Sequence, residues 1–562
     1  MKNFAQQLEN QVGYFSDTPI LVFQRAGEID TPITYRDLHN NASRYAFALD
    51  QAGVKPGDVV ILILQHSIEL IFAYFGAILN GSIPSIMPFL TEKLLPEKYR
   101  SDLIALMSIS RPAGIITYRE FLPEIDGLNS PNSGLKAVLI CEDIESQKIS
   151  LDIFRAYHFP GLDRDSGDIV LLQHSSGSTG LQKGVALSHK AVFNQVQHYS
   201  NAIRLSKEDV IVSWLPLYHD MGLIACFLMP ILFGAQLILM SPFDWVKAPS
   251  RLFQSVSEYH GTLSWLPNFA YNFCAKKVRD ADLTGVDLSS LRAVINCSEP
   301  MRFESHQMFL EKFAPYGLKD SFISTCYAMA ENVFAVTQDG IRKAVTYDRI
   351  NLEHFQRRKY AKPASAEEKS IVMVSAGKPI ENTDVRIIDT AGKTLSERYL
   401  GEIVIRSDCM LTGYYNRKDE TEKSFLDGWF KTGDLGYIAG GELYISGRKK
   451  DLIIVGGKNI YPQDIETLVS EIRGVHPGRV VAFGVYNEEK GTEDVVVIAE
   501  YEEKFASRIS EITSQIRQIV TKSSAIALRT VYLVPEKWLI KTSSGKIARS
   551  ANKEKFLKES EK

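Results

Sequence analysis

The sequence predicts an α/β protein with a large N-terminal domain, made of two αβ subdomains and a small β-rich subdomain, and a small, mobile α+β C-terminal domain. Three observations predict it. Apolar strand-like runs alternate with helical patterns through the first part of the chain. Around Gly377 the texture changes to short β-type segments divided by Gly, Asp and Asn turns. After Gly447 a last unit appears with strands and a helix of its own.

Asp58 to Leu64 is a nearly continuous apolar run, as expected of a strand covered on both faces, and Ile68 to Leu79 continues with helical spacing up to the break Gly81-Ser82-Ile83-Pro84. Such alternation implies parallel sheets with helices on both faces. Ile169 to Leu172 and Val185 to His189 read as two further strands. Leu223 to Met240 is apolar apart from Gln236 and reaches the length of a membrane span. Pro230, Gly234 and Gln236 interrupt it, so it reads as a buried helix followed by a strand, Gln236 to Met240, and no integral membrane segment is expected.

Asp384 to Ile388 and Gly401 to Arg406 are strands of the β-rich part. Val480 to Val485 and Val495 to Tyr501 are strands of the last unit, where Ile509, Ile512, Ile516 and Ile519 mark one helix face. The join Ser446-Gly447-Arg448-Lys449-Lys450-Asp451 is short, polar and glycine-containing, which suits a hinge. The expected boundaries are 1–446 for the core, with the β-rich subdomain at about 340–446 and an insertion at about 345–372, then 447–451 for the hinge and 452–562 for the C-terminal domain.

Composition narrows the function classes. The 562 residues carry a formal net charge of −3, with no electrostatic footprint for nucleic acid. The six cysteines are far apart, with no C-x-x-C pair and no metal-ligand spacing, and read as reduced thiols. Met1 to Gln7 lacks the apolar stretch of a secretory signal, so a cytoplasmic location is expected.

The most informative segment is Ser175-Ser176-Gly177-Ser178-Thr179-Gly180-Leu181-Gln182-Lys183-Gly184. Its glycines let backbone N–H groups approach anionic oxygens, its hydroxyls add donors, and Lys183 adds charge, a composition suited to a polyphosphate. Alone, such a run also reads as a surface turn. It is not the P-loop of the common NTPases, because Lys183 is followed by Gly184 and Val185 rather than by Ser or Thr and a helix.

Five further strings follow in order: Leu215-Pro216-Leu217-Tyr218-His219-Asp220, Tyr327-Ala328-Met329-Ala330-Glu331, Lys431-Thr432-Gly433-Asp434, Gly447-Arg448-Lys449-Lys450-Asp451 and Ser543-Ser544-Gly545-Lys546-Ile547. Together with the loop they resemble the adenylate-forming superfamily of acyl-CoA synthetases, luciferases and peptide-synthetase adenylation domains, over nearly the whole chain. Trp214 to Leu223, Asn296-Cys297-Ser298-Glu299-Pro300, and Gly447 to Ile454 with Tyr461 to Glu466 are similar to the versions in fatty acyl-AMP ligases. Glu331 and Gly377 lie 46 positions apart, a longer separation than the coenzyme A ligases use. The excess contains the charged stretch Gln356 to Lys369. It resembles the insertion held, in that subgroup, to restrain the C-terminal domain and prevent thioester formation with coenzyme A. Ala328 stands where the family usually has Gly, and Ile540 where Pro is frequent; neither change removes a charged group.

The resemblance implies ATP and Mg²⁺ as cofactors, and as partners a medium- or long-chain fatty acid and the carrier domain of an acyl carrier protein or polyketide synthase. It places Ser175, Ser176, Gly177, Ser178, Thr179, Gly180 and Lys183 on the phosphates. Ser298, Glu299, Pro300, Tyr327, Ala328, Met329, Ala330 and Ile445 fall around the nucleotide base, and Asp434 and Arg448 at ribose or phosphate. Glu331 is assigned to the metal, Lys546 to the adenylation step, His219 to the acyl site and Lys450 to the hinge. His219 is not expected to be a general base, because a carboxylic acid is already ionised at neutral pH. The alternatives are a fatty acyl-CoA synthetase and, in another class, a catalytically silent nucleotide-binding scaffold.

Overall fold

The computed structural model describes residues 3–90, 96–126, 134–148, 150–175, 183–455, 458–488, 492–524, 528, 530–542 and 546–560. The strands expected at Asp58 to Leu64 and neighbouring runs form a four-stranded sheet. Val59–Ile63 lies between Ile83–Ile86 and Gly114–Thr117, with Ala137–Ile140 at the edge, and every pairing is parallel. Val59–Ile63 is buried at every position, which explains its unbroken apolar run. The helix Ile68–Asn80 follows and ends on Gly81 at φ 79°.

A second sheet changes character along its length. Pro19–Gln24, Gln236–Met240, Val210–Ser213, Leu263–Leu266, Ala293–Asn296 and Ile323–Ala328 are successive parallel neighbours. From Ile323–Ala328 onward the pairing is antiparallel, through Ala335–Asp339 and Ser370–Pro379 to Glu442–Arg448, Trp429–Ala439, Gly401–Ser407 and Thr383–Ile388. The β-rich texture near Gly377 therefore continues the main sheet rather than starting a new one. Gly377 itself sits at φ 95°, and a Cβ there would lie 2.1 Å from the backbone of Gln338, so this crossing of strands requires glycine.

The apolar segment at 223–240 is a buried π-type helix, Met221–Leu228, continued by the short helix Met229–Phe233 and the strand Gln236–Met240. Among the described residues, no helix is long and apolar enough to cross a membrane. One boundary differs from expectation: His189 is the first residue of the helix His189–Ile203 rather than the end of a strand. Ser188 caps that helix by accepting from Ala191 N, and a capped N-terminus stops the strand there.

The C-terminal part has its own core. The helices Pro462–Ser470 and Ile509–Ser524 cover the sheet Val475–Asn487, Thr492–Tyr501 and Thr530–Val534. Ile465, Val469, Val497, Ile512, Ile516 and Val520 are buried together. The segment expected as an insertion is a strand, Tyr347–Asn351, and a helix, Leu352–Arg358, capped by Asn351. It touches the C-terminal part directly: the Phe355 and Tyr461 rings stack at 5.8 Å, and Lys369 Nζ donates to Lys522 O at 3.5 Å.

Candidate functional site

The glycine-rich loop is the connection of an antiparallel hairpin, Ile169–Ser175 with Lys183–Ser188, in which Ser175 pairs with Lys183. Ser176, Gly177, Ser178, Thr179 and Gly180, together with the Ser543 to Gly545 stretch before Lys546, lie outside the described residues. Lys183 points its ammonium at Glu420 Oε2, 2.8 Å away, and over the Tyr414 ring, 4.6 Å from its centre.

Tyr327 is the penultimate residue of the strand Ile323–Ala328 and donates its phenol to Asp434 Oδ2 at 2.6 Å. Burial first, and the Asp434 carboxylate second, hold that phenol protonated. Asp434 and Arg448 are register partners on neighbouring strands, with Arg448 Nε 3.4 Å from Asp434 Oδ1. Ile445, on the same strand as Arg448, is partly buried against the core. The register slips between Tyr327 and Ala328, so the chain turns at Ala328 and Met329 into the short turn Ala330–Asn332. This turn presents Glu331. Tyr414 donates its hydroxyl to Glu331 Oε1 at 2.9 Å, and Leu411 N donates to Glu331 O at 2.8 Å. Burial pushes the Glu331 carboxyl above the usual carboxylate range, against the Tyr414 bond that lowers it.

The segment before His219 is held by close packing. Gly222 lies so near Pro216 that a Cβ would meet the Pro216 carbonyl at 2.3 Å, which fixes the turn carrying His219 and Asp220 at the head of the wide helix. His219 Nδ1 is 2.6 Å from Asp220 Oδ1. Burial alone would raise the Asp220 carboxyl, but His219 and then Lys546 outweigh it and keep the group low and ionised.

Lys546 comes from the other end of the chain. Thr542 N donates to Lys546 O at 2.8 Å and Ala548 N to Ile540 O at 3.0 Å, closing a turn, while Asn552 donates to and accepts from the Ile540 backbone. From this turn Lys546 Nζ reaches the N-terminal domain and donates to Ser298 O at 2.8 Å. Ser298 is at φ 68°, which swings its carbonyl out of the strand direction. Next to this contact, Arg302 Nη2 donates to Asp464 Oδ1 at 2.7 Å, a second tie between the two parts. Glu299 Oε2 accepts from Phe269 N at 2.9 Å. Pro300 is exposed beside it. Lys450 lies in the exposed turn Lys449–Asp451 just after the strand Glu442–Arg448, and Arg549 anchors the following Asp451 at 2.6 Å.

The structure thus brings Lys546, Ser298, His219 and Asp220 together, links Tyr327, Asp434 and Arg448, and joins Glu331 to the Tyr414 hydroxyl and Lys183 to the Tyr414 ring. The set combines fixed cations with one carboxylate suited to a hard metal ion, an arrangement for joining two anions. Sequence reasoning left out Tyr414, Glu420, Arg302 and Asp464 as site residues. Asp220 was in plain view inside the His219 string. Asp464 stands inside the Tyr461 to Glu466 string, whereas Tyr414, Glu420 and Arg302 lie outside every motif string and join the site only through the fold.

A family model described as AMP-binding enzyme matches residues 8–415. The medium-chain-fatty-acid acyl-carrier-protein ligase JamA of Moorena producens is 30% identical, covering 98% of this chain and 94% of that protein. The long-chain-fatty-acid AMP ligase FadD26 of Mycobacterium marinum is 30% identical over 93% of this chain and 91% of its own. A solved fatty acyl-adenylate ligase from work on the E. coli and L. pneumophila enzymes superposes with a TM-score of 0.90 at 27% identity, covering 100% of this chain and 98% of that one. The L. pneumophila ligase solved in complex with acyl adenylate and pyrophosphate gives 0.75 at 28% identity, covering 99% and 96%.

Proposed function

The chain belongs to the AMP-binding enzyme family, in its fatty acyl-AMP ligase branch, and on that premise we propose that it activates a medium- or long-chain fatty acid with ATP and passes the acyl group to a carrier-protein phosphopantetheine thiol. The observation that carries this reading is the hydrogen bond from Lys546 Nζ to Ser298 O at 2.8 Å, which brings a C-terminal ammonium close enough to the Asp220 carboxylate to lower it.

In the first half-reaction the fatty acid carboxylate attacks the α-phosphorus, a carboxyl–phosphate bond forms, and the bond to the β-phosphate breaks to release pyrophosphate. Two anions must approach, so positioning and charge neutralisation are the tasks. Lys546 serves both carboxylate and α-phosphate, Ser175 to Gly180 and Lys183 hold the phosphates, and Asp434 accepts from ribose hydroxyls with Arg448 beside it. Tyr327, Ala328, Met329, Ala330, Ile445 and the Ser298 to Pro300 turn line the base. Glu331 fits Mg²⁺, since a buried carboxylate whose ionised form is disfavoured by its surroundings gains a counter-charge when such an ion binds. The ion supplies neutralisation of phosphate charge. His219 orients Asp220 and borders the acyl site without taking a proton.

In the second half-reaction the thiol attacks the acyl carbonyl and AMP leaves. Before that attack the C-terminal domain, from about residue 452, swings about 447–451, removing Lys546 and admitting the thiol arm. A Lys450→Pro variant, which stiffens that turn, is expected to slow acyl transfer roughly ten-fold while adenylation changes far less. Equal loss in both half-reactions counts against the hinge.

The insertion favours a carrier protein over coenzyme A: its Phe355 stack on Tyr461 and its Lys369 contact tie it to the part that must move. Purified protein given ATP, Mg²⁺ and fatty acid, with either coenzyme A or a holo carrier protein, tests the reading. Acyl-carrier thioester is the expected product. Fast acyl-CoA formation would make the chain an acyl-CoA synthetase instead, and absence of acyl-AMP by mass spectrometry would leave a nucleotide-binding scaffold.

A further inference from the structure

The Lys183 ammonium is held at one side by Glu420 Oε2, at 2.8 Å, and faces the Tyr414 ring at 4.6 Å. The other carboxylate oxygen of Glu420 looks toward two more cations, Arg417 at 3.5 Å and Lys423 at 4.0 Å. The segment carrying these residues is strapped to the hairpin that carries Lys183: Thr412 N donates to Ala186 O at 2.9 Å, Tyr415 N to Gly184 O at 2.8 Å, and Gly413 and Tyr414 pair with Ala186 and Val185. Tyr414 in turn donates to Glu331. Glu420 and Tyr414 therefore meet the lysine from one hydrogen-bonded segment, and Tyr414 links that segment to Glu331.

We propose that Glu420 is the resting counter-ion of Lys183, a positioning residue that holds the ammonium beside Tyr414 until nucleotide phosphate oxygens take its place, and that reclaims it when pyrophosphate leaves. This rests on the assignment of Lys183 to the phosphates. A carboxylate and a polyphosphate compete for one ammonium, because each repels the other's approach. The exchange has a low cost on the protein side, since Arg417 and Lys423 already face the Glu420 oxygen that Lys183 does not use. Lys183 and Glu420 side chains are 27% and 26% exposed, so the pair is neither a fully screened surface contact nor a buried one. Breaking it on each turnover weakens ATP binding and, by the same amount, favours pyrophosphate release.

The test uses the full chain as wild type, E420Q, K183A and the double variant, with two readouts: the KM for ATP in pyrophosphate exchange, and the dissociation constant of magnesium pyrophosphate by calorimetry. Gln keeps the shape and an acceptor oxygen but not the charge. E420Q is expected to lower both constants about three- to five-fold, the range of a partly exposed ion pair. The same substitution in the K183A background is expected to change neither. A merely structural role for Glu420 predicts weaker binding, so constants that rise or stay level in E420Q, while K183A raises them, overturn the proposal. An equal drop in both backgrounds also overturns it, because general charge removal then explains the effect. If K183A leaves both constants at wild-type values, the phosphate assignment of Lys183 falls, a separate and recognisable failure.

Discussion

Replacing Lys546 with alanine is expected to reduce pyrophosphate exchange by about two orders of magnitude, corresponding to about 3 kcal/mol or more of lost transition-state stabilisation. The substitution removes the donor to Ser298 O and a charge that, after His219, helps to lower the Asp220 carboxyl. Folding should be nearly unaffected, because the turn that carries the lysine is closed by backbone bonds and by Asn552, none of which uses the ammonium. The decisive comparison is between half-reactions. Given preformed acyl-AMP and a holo carrier protein, the variant should still form thioester, since the proposed swing takes Lys546 away before the thiol attacks. Wild-type exchange in the variant would contradict the assignment, and equal loss of both half-reactions would place the lysine in substrate binding generally.

A second substitution separates stability from activity by sign. Glu331→Gln keeps an acceptor for the Tyr414 hydroxyl but removes the carboxylate charge. Adenylation should fall by roughly two to three orders of magnitude and the Mg²⁺ needed for half-maximal rate should rise, as expected when an electrostatic metal contact is lost. Stability of the metal-free protein should move the other way. Burial raises the carboxyl in the folded state, so its protonated form is the one folding favours. That contribution is present below the unfolded carboxylate range and is lost as pH rises through the raised value. Near neutral pH the wild-type protein holds a disfavoured ionised group that the glutamine variant lacks. The variant's Tm is therefore expected to exceed wild type in EDTA at pH 7 to 8, and the gap to close as the pH is lowered toward the ordinary range of glutamate. A lower Tm at pH 8 would mean that the carboxylate is stabilised by partners other than a metal.

Much of this was legible before any coordinates. Val59–Ile63 declared its burial by lacking polar residues, and Gln236, Gly234 and Pro230 divided a span-length apolar run into helix, turn and strand because each residue has local backbone consequences. Tyr327, Glu331, Asp434, Arg448 and Lys546 stood out through their motif strings. The partners that tune them did not. Glu420 lies 237 positions from Lys183, and Arg302 is 162 from Asp464. A long-range ion pair leaves no local signature, since either member alone reads as a surface charge.

The order of strands and helices follows from the chain read residue by residue, because periodicity and turn residues act over a few neighbours, while the reaction and the roles proposed for its charged groups come from the resemblance that the motif strings carry. Which carboxylate meets which cation, that the β-rich part extends the main sheet, and that the lysine near the C-terminus closes on Ser298 were decided only by tertiary packing. Burial and pairing depend on distances between segments hundreds of residues apart, and those distances exist only once the chain has folded.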